Sequence, residues 1–358
     1  MSRWRYFFKR LLLSVPVLFM VMTFIFILLR MGPVDPVAAR LGPEASGAEA
    51  ERMRERLGLN DPLWEQYLDF VTNFLTFDLG QSWVIYGDME VTRIITFAGP
   101  PTLWLGFWAV LLPLFIGIPL GFYAGLNPNS GGDYLASVGG ILWQAMPNFW
   151  LSIILLAVLR QTKGGGWFGF DWYTFGPDIT GLSITGTPDL AFLSISSIDV
   201  AGAISIPLLT GVDWGALAVD IKLILPPAIV LGSASMAAEL RIGRTAILET
   251  INSNYVETAK AKGLKDRAIV WKHVFRNALI PLVPVITNEA FLLMGGSVIV
   301  ESIFNINGLG RIFFLATVQG DLPLAGALLF VFTLLIIFLN IFQDLLYTII
   351  DPRVGYER

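Results

Sequence analysis

The chain has 358 residues, 55% of them hydrophobic and only 15% charged, and its mean hydropathy of +0.67 lies outside the range of ordinary soluble domains. It reads as a polytopic membrane protein. With no cysteine and one histidine, His273, the chain can build neither a disulfide framework nor a thiolate or His-cluster metal centre. The formal net charge of -4 is modest but unevenly spread, and that distribution sets the orientation.

A helix needs about 20 apolar residues to cross roughly 30 Å of hydrocarbon. Six apolar windows meet or approach that length, five of them uncharged and the fifth in order broken only by Glu289: residues 11–29, 101–126, 134–159, 223–238, 278–300 and 322–342. Basic residues precede the first window as they would in a signal peptide. No small-residue cleavage pattern follows it, so it is read as a retained first span. The fourth window holds only sixteen uncharged residues between Lys222 and Glu239, and is read as starting earlier or running tilted against protein.

Charge in short loops and beside each span gives the sidedness. Arg3, Arg5, Lys9 and Arg10 place the N-terminus in the cytoplasm. With six spans, 239–277 is also cytoplasmic, and it carries eight Lys or Arg against four acids. Residues 30–100 and 161–222 then lie outside; both are net acidic, the first with eleven acids against six bases. The turn 127–133 is expected in the cytoplasm yet has no basic residue.

The first outer segment is partly helical by pattern. Residues 48–57 are rich in Glu, Arg and Ala and end at Gly58. Asp61 and Pro62 then supply an N-cap and first-turn proline for a helix over 63–75, with Trp64, Tyr67, Leu68, Val71 and Leu75 at helical spacing. Such an amphipathic cap packs on the bundle or lies on the membrane surface. The second outer segment, 164–210, reads as an irregular, partly β-structured loop of the kind that carries partner contacts. No internal repeat relates the two halves, which weighs against inverted-repeat secondary transporters.

The basic island at 255–281 carries the clearest local signal. Glu257, Thr258 and Ala259 begin a short helix that stops at Gly263, a residue suited to the left-handed C′ position, with Leu264 folding back on Ala259. Ala259, Ala261 and Gly263 are small enough for another protein to approach the backbone, while Lys260 and Lys262 project charge. A second amphipathic helix is expected from about Asp266, with Ile269, Val270, Val274 and Ala278 on one face.

This island resembles the EAA loop of the membrane subunits of binding-protein-dependent ABC importers, and more closely that of the peptide/nickel permease branch. That branch reads like TA-x-AKGL, a basic helix, then RNALIP; here stand Thr258-Ala259-Lys260-Ala261-Lys262-Gly263-Leu264 and Arg276-Asn277-Ala278-Leu279-Ile280-Pro281. Further matches follow in order: Leu29-Arg30-Met31-Gly32-Pro33-Val34-Asp35-Pro36, Leu57-Gly58-Leu59-Asn60-Asp61-Pro62, Asp78-Leu79-Gly80-Gln81-Ser82 and Gly117-Ile118-Pro119-Leu120-Gly121. Val300-Glu301-Ser302-Ile303-Phe304 with Gly308-Leu309-Gly310, and the run from Leu346 to Arg353, complete the set. The long 164–210 loop and the neutral 127–133 turn depart from the family pattern.

The resemblance implies an all-α permease with six transmembrane helices and cytoplasmic termini in the cell (inner) membrane. Residues 1–31 would form the N-terminus and first span, and 32–100 an extracytoplasmic cap. The core would occupy 101–350, with outer loop 161–222 and coupling loop 239–277, and 351–358 would be a cytoplasmic tail. It further implies that Glu257 to Leu264 dock on separate ABC ATPase subunits, that a second homologous permease completes a heterodimer, and that an extracytoplasmic solute-binding protein delivers the solute. No cofactor or nucleic-acid partner is expected. The chain has no G-x-x-x-x-G-K-[ST] and cannot cradle nucleotide by a P-loop. The solute would be a dipeptide, oligopeptide or related small molecule; the alternatives are nickel or another non-peptide solute and, more remotely, an ion-driven transporter or channel. An intramembrane enzyme lacks a visible catalytic dyad.

Glu289 sits mid-span beside Asn288. An ionisable residue there costs on the order of 3 kcal/mol, against about 0.3–0.6 kcal/mol from each apolar neighbour, so insertion is still expected. Two readings stand: a lining residue of the translocation path, or a protonated, hydrogen-bonded structural Glu. Gly295-Gly296 reads as helix packing rather than a gate.

Overall fold

The computed structural model describes residues 3–32, 36–41, 47–166, 169–188, 190, 192–200, 204–282, 284–285 and 297–350, and these are predominantly helical. Among them four helical runs are long and apolar enough to cross a membrane: Phe8–Met31, Val91–Leu126, Trp214–Ile251 and Leu322–Leu345. Two bent helix pairs raise the number to as many as six if each pair is one span. The expected fifth span, 278–300, falls largely on residues outside the described ones, and Asn288, Glu289 and Gly295-Gly296 lie there too. The chain divides into two units, residues 1–99 with 309–358, and residues 100–308.

In the first unit α1 (Arg3–Met31) carries two short helices after it, α2 (Pro36–Leu41) and α3 (Gly47–Arg56), then α4 (Leu63–Leu75). Helix α1 runs beside the C-terminal helix Leu322–Ile350, where Gly326 leaves room for Ile25 that a Cβ would fill, and Arg10 Nε meets Asp344 Oδ2 at 3.1 Å. The Tyr67 hydroxyl of α4 lies 2.8 Å from Thr23 Oγ1, its ring meets Phe26 edge-on at 5.3 Å, and Phe74 meets Phe330 at 5.0 Å.

The cap helix therefore packs on the bundle, but not by the expected stripe. Tyr67, Phe70, Val71 and Phe74 face the core, whereas Trp64, Leu68 and Leu75 are 62%, 54% and 49% exposed. Spacings of three and four fit both sets; the aromatic contacts at positions 70 and 74 select the first. The N-cap is Pro62 rather than Asp61, without a side-chain cap. Gln66 reaches back instead, its Nε2 donating to the carbonyls of Asp61 at 2.7 Å and Leu59 at 3.2 Å. Past α4, the fully buried Asp321 carboxylate accepts the Ser82 hydroxyl and the N–H groups of Trp83, Val84 and Ile85, pinning the DLGQS turn.

In the second unit the end of α5 (Val91–Leu112) passes through a π turn, Pro113–Gly117, into α6 (Ile118–Leu126). Gly117, Gly121 and Gly125 share one face at a spacing of four, and each abuts helix Trp214–Ile251, where a Cβ would strike Met236, the Leu240 carbonyl or Ile247. Small residues at this spacing let two backbones close on one another. Helices α7 (Gly131–Gln144) and α8 (Asn148–Gln161) meet at 100° across Pro147, whose missing N–H and ring stop the first from continuing.

The 161–222 segment contains a hairpin, β1 (Leu193–Val200) against β2 (Ile204–Val212), antiparallel with one register shift between Ser194 and Ile195. It is the one departure from helix that the composition of 164–210 foreshadowed. In the same loop Asp178 Oδ1 accepts the Thr180 N–H at 2.8 Å, which holds its carboxyl below the usual carboxylate range. Helix α9 (Trp214–Ile251) then begins at Asp213, whose side chain caps Gly215 and Ala216. It is 38 residues long, so the sixteen-residue window is extended at both ends.

Candidate functional site

Helix α9 ends at Ile251, and after Asn252 and Ser253 the chain turns straight into α10 (Asn254–Ala261). Its stop is built as the sequence demands. Gly263 has φ +74°, the Gly263 N–H donates to the Lys260 carbonyl at 2.9 Å, and the Leu264 N–H donates to the Ala259 carbonyl at 3.3 Å. Those two bonds are a Schellman end, and the positive φ explains the glycine.

Two faces of α10 differ sharply. Val256 and Ala259, three apart, are 0% and 6% exposed and join a cluster with Ile118 and Phe122 of α6 and Ala246 and Ile247 of α9. Glu257, Thr258, Lys260, Ala261, Lys262 and Gly263 are exposed, and Leu264 is partly buried against the same cluster. Of the three small residues expected to admit another protein, Ala261 and Gly263 are exposed, while Ala259 seats the helix on the core.

Next come α11 (Asp266–Ala268), a π turn at Ile269–Val274 and α12 (Phe275–Ala278). Ile269, Val274, Ala278 and Leu282 are buried at 2%, 0%, 0% and 0% exposure. The first step is five residues rather than four, and the wide turn absorbs the extra residue, which leaves Val270 only half-buried. Phe275 packs edge-on against Phe122 at 5.1 Å, so this helix too rests on α6. Helices α10 and α12 therefore share one packed cluster with α6 and α9.

Three charged anchors around this scaffold were not singled out by sequence reasoning. Arg244 clamps Asp133 with two bonds, Nε to Oδ1 at 2.6 Å and a second nitrogen to Oδ2 at 2.8 Å, while Asp133 also accepts the Asn129 N–H at 2.9 Å. The neutral 127–133 turn thus takes its base from α9. A signal for the turn was present, since Ser130 caps α7 by accepting the Asp133 N–H at 3.1 Å. At the other end of α9, Lys222 Nζ donates to the carbonyls of Tyr173, Phe175 and Pro177, binding that segment to the helix. Glu301, in α13 (Ser297–Phe304), is wholly buried and accepts the Thr102 hydroxyl at 2.9 Å; a Cβ at Gly308 would strike its carboxylate.

A multi-pass helical membrane protein with an exposed, glycine-terminated helix seated between two spanning helices defines the class. The family model described as "Binding-protein-dependent transport system inner membrane component" matches residues 117–356, and its N-terminal companion matches residues 3–87. The chain belongs to that family, and is a multi-pass protein of the inner membrane. It is 33% identical over 351 residues to the oligopeptide transport system permease protein AppB of Bacillus subtilis (strain 168), covering 98% of this chain and 99% of the relative. Identity is 31% over 354 residues to the dipeptide transport system permease protein DppB of Alkalihalophilus pseudofirmus, with the same coverage of both chains. The glutathione transport system permease protein GsiC of Escherichia coli (strain K12) is 28% identical over 352 residues, 98% of this chain and 99% of the relative.

Proposed function

We propose that this chain is the permease subunit of an ATP-driven importer of peptides or peptide-like solutes, and that α10 is the element through which separate ATPase subunits drive it. The observation that carries the coupling reading is the two-faced helix: Val256 and Ala259 lock it to α6 and α9, while its Glu257–Gly263 face stands exposed behind a rigid glycine stop. The peptide reading is supported by the oligopeptide and dipeptide permeases among the relatives that span nearly the whole chain. In this reading six spans put both termini and α10 in the cytoplasm and the 32–100 and 161–222 segments outside, where a solute-binding protein docks. A second, related permease completes the path, and residues of the 278–300 segment, Asn288 and Glu289 among them, line it.

The test is made in proteoliposomes holding this chain with its ATPase and permease partners. Ala261→Trp, at an exposed position, and Gly263→Pro, which cannot keep the positive φ, are each expected to lower ATP-dependent uptake at least about tenfold, the scale of losing one well-packed interface contact. For Ala261→Trp the thermal midpoint should stay unchanged. Full uptake by both variants would remove α10 from the coupling path.

A further inference from the structure

Helices α7 and α8 hold 14 residues each. At 1.5 Å per residue each is about 21 Å long, shorter than the roughly 30 Å of hydrocarbon in a membrane, so neither crosses alone. They meet at 100°, and the uncharged run 134–159 extends over both. Whether the pair makes one crossing or turns back as a re-entrant loop, its bend lies within the membrane.

That bend is polar and open. Residues 145–147 are not helical, and among the described residues the carbonyls of Ala145 and Met146 accept no hydrogen bond. Gln144 on one side of the bend is exposed and Asn148 on the other is half-buried. Neither side-chain amide has a hydrogen-bond partner among the described residues. Ala145, Pro147 and Phe149 beside them are exposed too, so these polar groups are reachable from outside the chain.

On a soluble domain such groups would simply be wet. Hydrocarbon satisfies none of them, and non-helical backbone at this depth persists only where protein buries it or where it lines water. A covering helix would have to match two carboxamides and two bare carbonyls at once, whereas water matches each without any fit. Leu142, two residues before Gln144 and so on the opposite side of α7, is 65% exposed and apolar, as a lipid-facing side chain should be.

We propose that Gln144 and Asn148 line a water-filled path through the membrane and hydrogen-bond the main-chain amides of a solute passing along it. A carboxamide both donates and accepts, as a peptide group does, and it adds no charge that would hold the solute fast. The water-filled path rests on the membrane placement of 134–159; only the chemistry of the solute rests on the importer reading above.

The sequence holds no cysteine, so single thiols report cleanly. Gln144→Cys, Asn148→Cys and Leu142→Cys are treated with a negatively charged methanethiosulfonate on both sides of proteoliposomes holding the assembled transporter, with ATP turning over so that every state of the path is sampled. The first two should react at least about tenfold faster than the third, because only the thiolate reacts and a rise of one unit in thiol pKa in lipid removes about nine-tenths of it. With trialanine as the probe solute, Gln144→Leu should lower ATP-driven uptake about fivefold, the scale of one lost hydrogen bond. Slow reaction at both Gln144→Cys and Asn148→Cys would mean that lipid or the second permease covers the bend, and overturns the proposal. Equal reaction at Leu142→Cys overturns it by removing the segment from lipid. Uptake unchanged in Gln144→Leu overturns the contact with the solute. Absence of trialanine uptake by the unaltered transporter would count instead against the peptide reading, and the thiol rates would still decide the path.

Discussion

Arg244 and Asp133 show how much one side chain holds. Asp133 is 2% exposed and its partner side chain 29%, so removing either leaves a charge with little water to turn to. Loss of one partner of a wholly buried pair costs about 3–5 kcal/mol; with Arg244 partly wet, Asp133→Asn is expected to cost about 2–3 kcal/mol, read as a lower thermal midpoint in detergent. Arg244→Lys should recover little, because a lysine cannot reproduce the two-pronged bond. A wild-type midpoint for both variants would show that the clamp contributes nothing. The sequence displayed half of this arrangement. Ser130 and Asp133 stand at cap spacing, but the base lies 111 residues away, and distance along the chain hides it. Ala259 teaches the same lesson. Its neighbours predict a helix with a glycine stop, yet only the packing of Val256 beside it tells which side of that helix is seated.

At the scale of elements, the Gly117, Gly121, Gly125 stripe decides how closely α6 and α9 approach. Gly121→Val would press two methyl groups onto the Leu240 backbone. Overpacking costs about 1–3 kcal/mol where side chains can yield, and backbone yields less, so a loss at or above the top of that range is expected in thermal unfolding. A neutral result would mean that the two helices separate freely. The GIPLG run was visible in the sequence as a resemblance, but its job as a contact surface emerges only when α9 is laid across it. The π turn at Ile269–Val274 was not legible at all. A five-residue step between buried positions looks like a broken period until the wide turn restores the face. The cap helix stripe failed for a related reason: two apolar sets of equal spacing competed, and the aromatic partners on α1 and the C-terminal helix chose between them.

For the whole molecule, hydropathy located four spans directly. The window 134–159 falls on the bent α7–α8 pair, whose two helices meet at 100°, because a proline break interrupts the helix and not the apolar run. The absence of cysteine from the sequence makes the six-span topology proposed above directly measurable. Lys262→Cys should react with a membrane-impermeant maleimide only from the cytoplasmic face, and Ser183→Cys only from the opposite one. Both positions are exposed, so labelling of the two from the same side would mean an even number of crossings between them and would refute α9 as a single span. Helix α9 deserves a last consequence. It is one continuous helix of 38 residues with Pro226 and Pro227 inside it, at most roughly 57 Å at 1.5 Å per residue, with Lys222 gripping the carbonyls of Tyr173, Phe175 and Pro177 near one end and Ala246 and Ile247 packed with α10 near the other. Were one partner to bind at the Lys222 end of this helix and another at α10, linkage would make any coupling between them reciprocal: the factor by which the first changed the affinity of the second would be the factor by which the second changed that of the first.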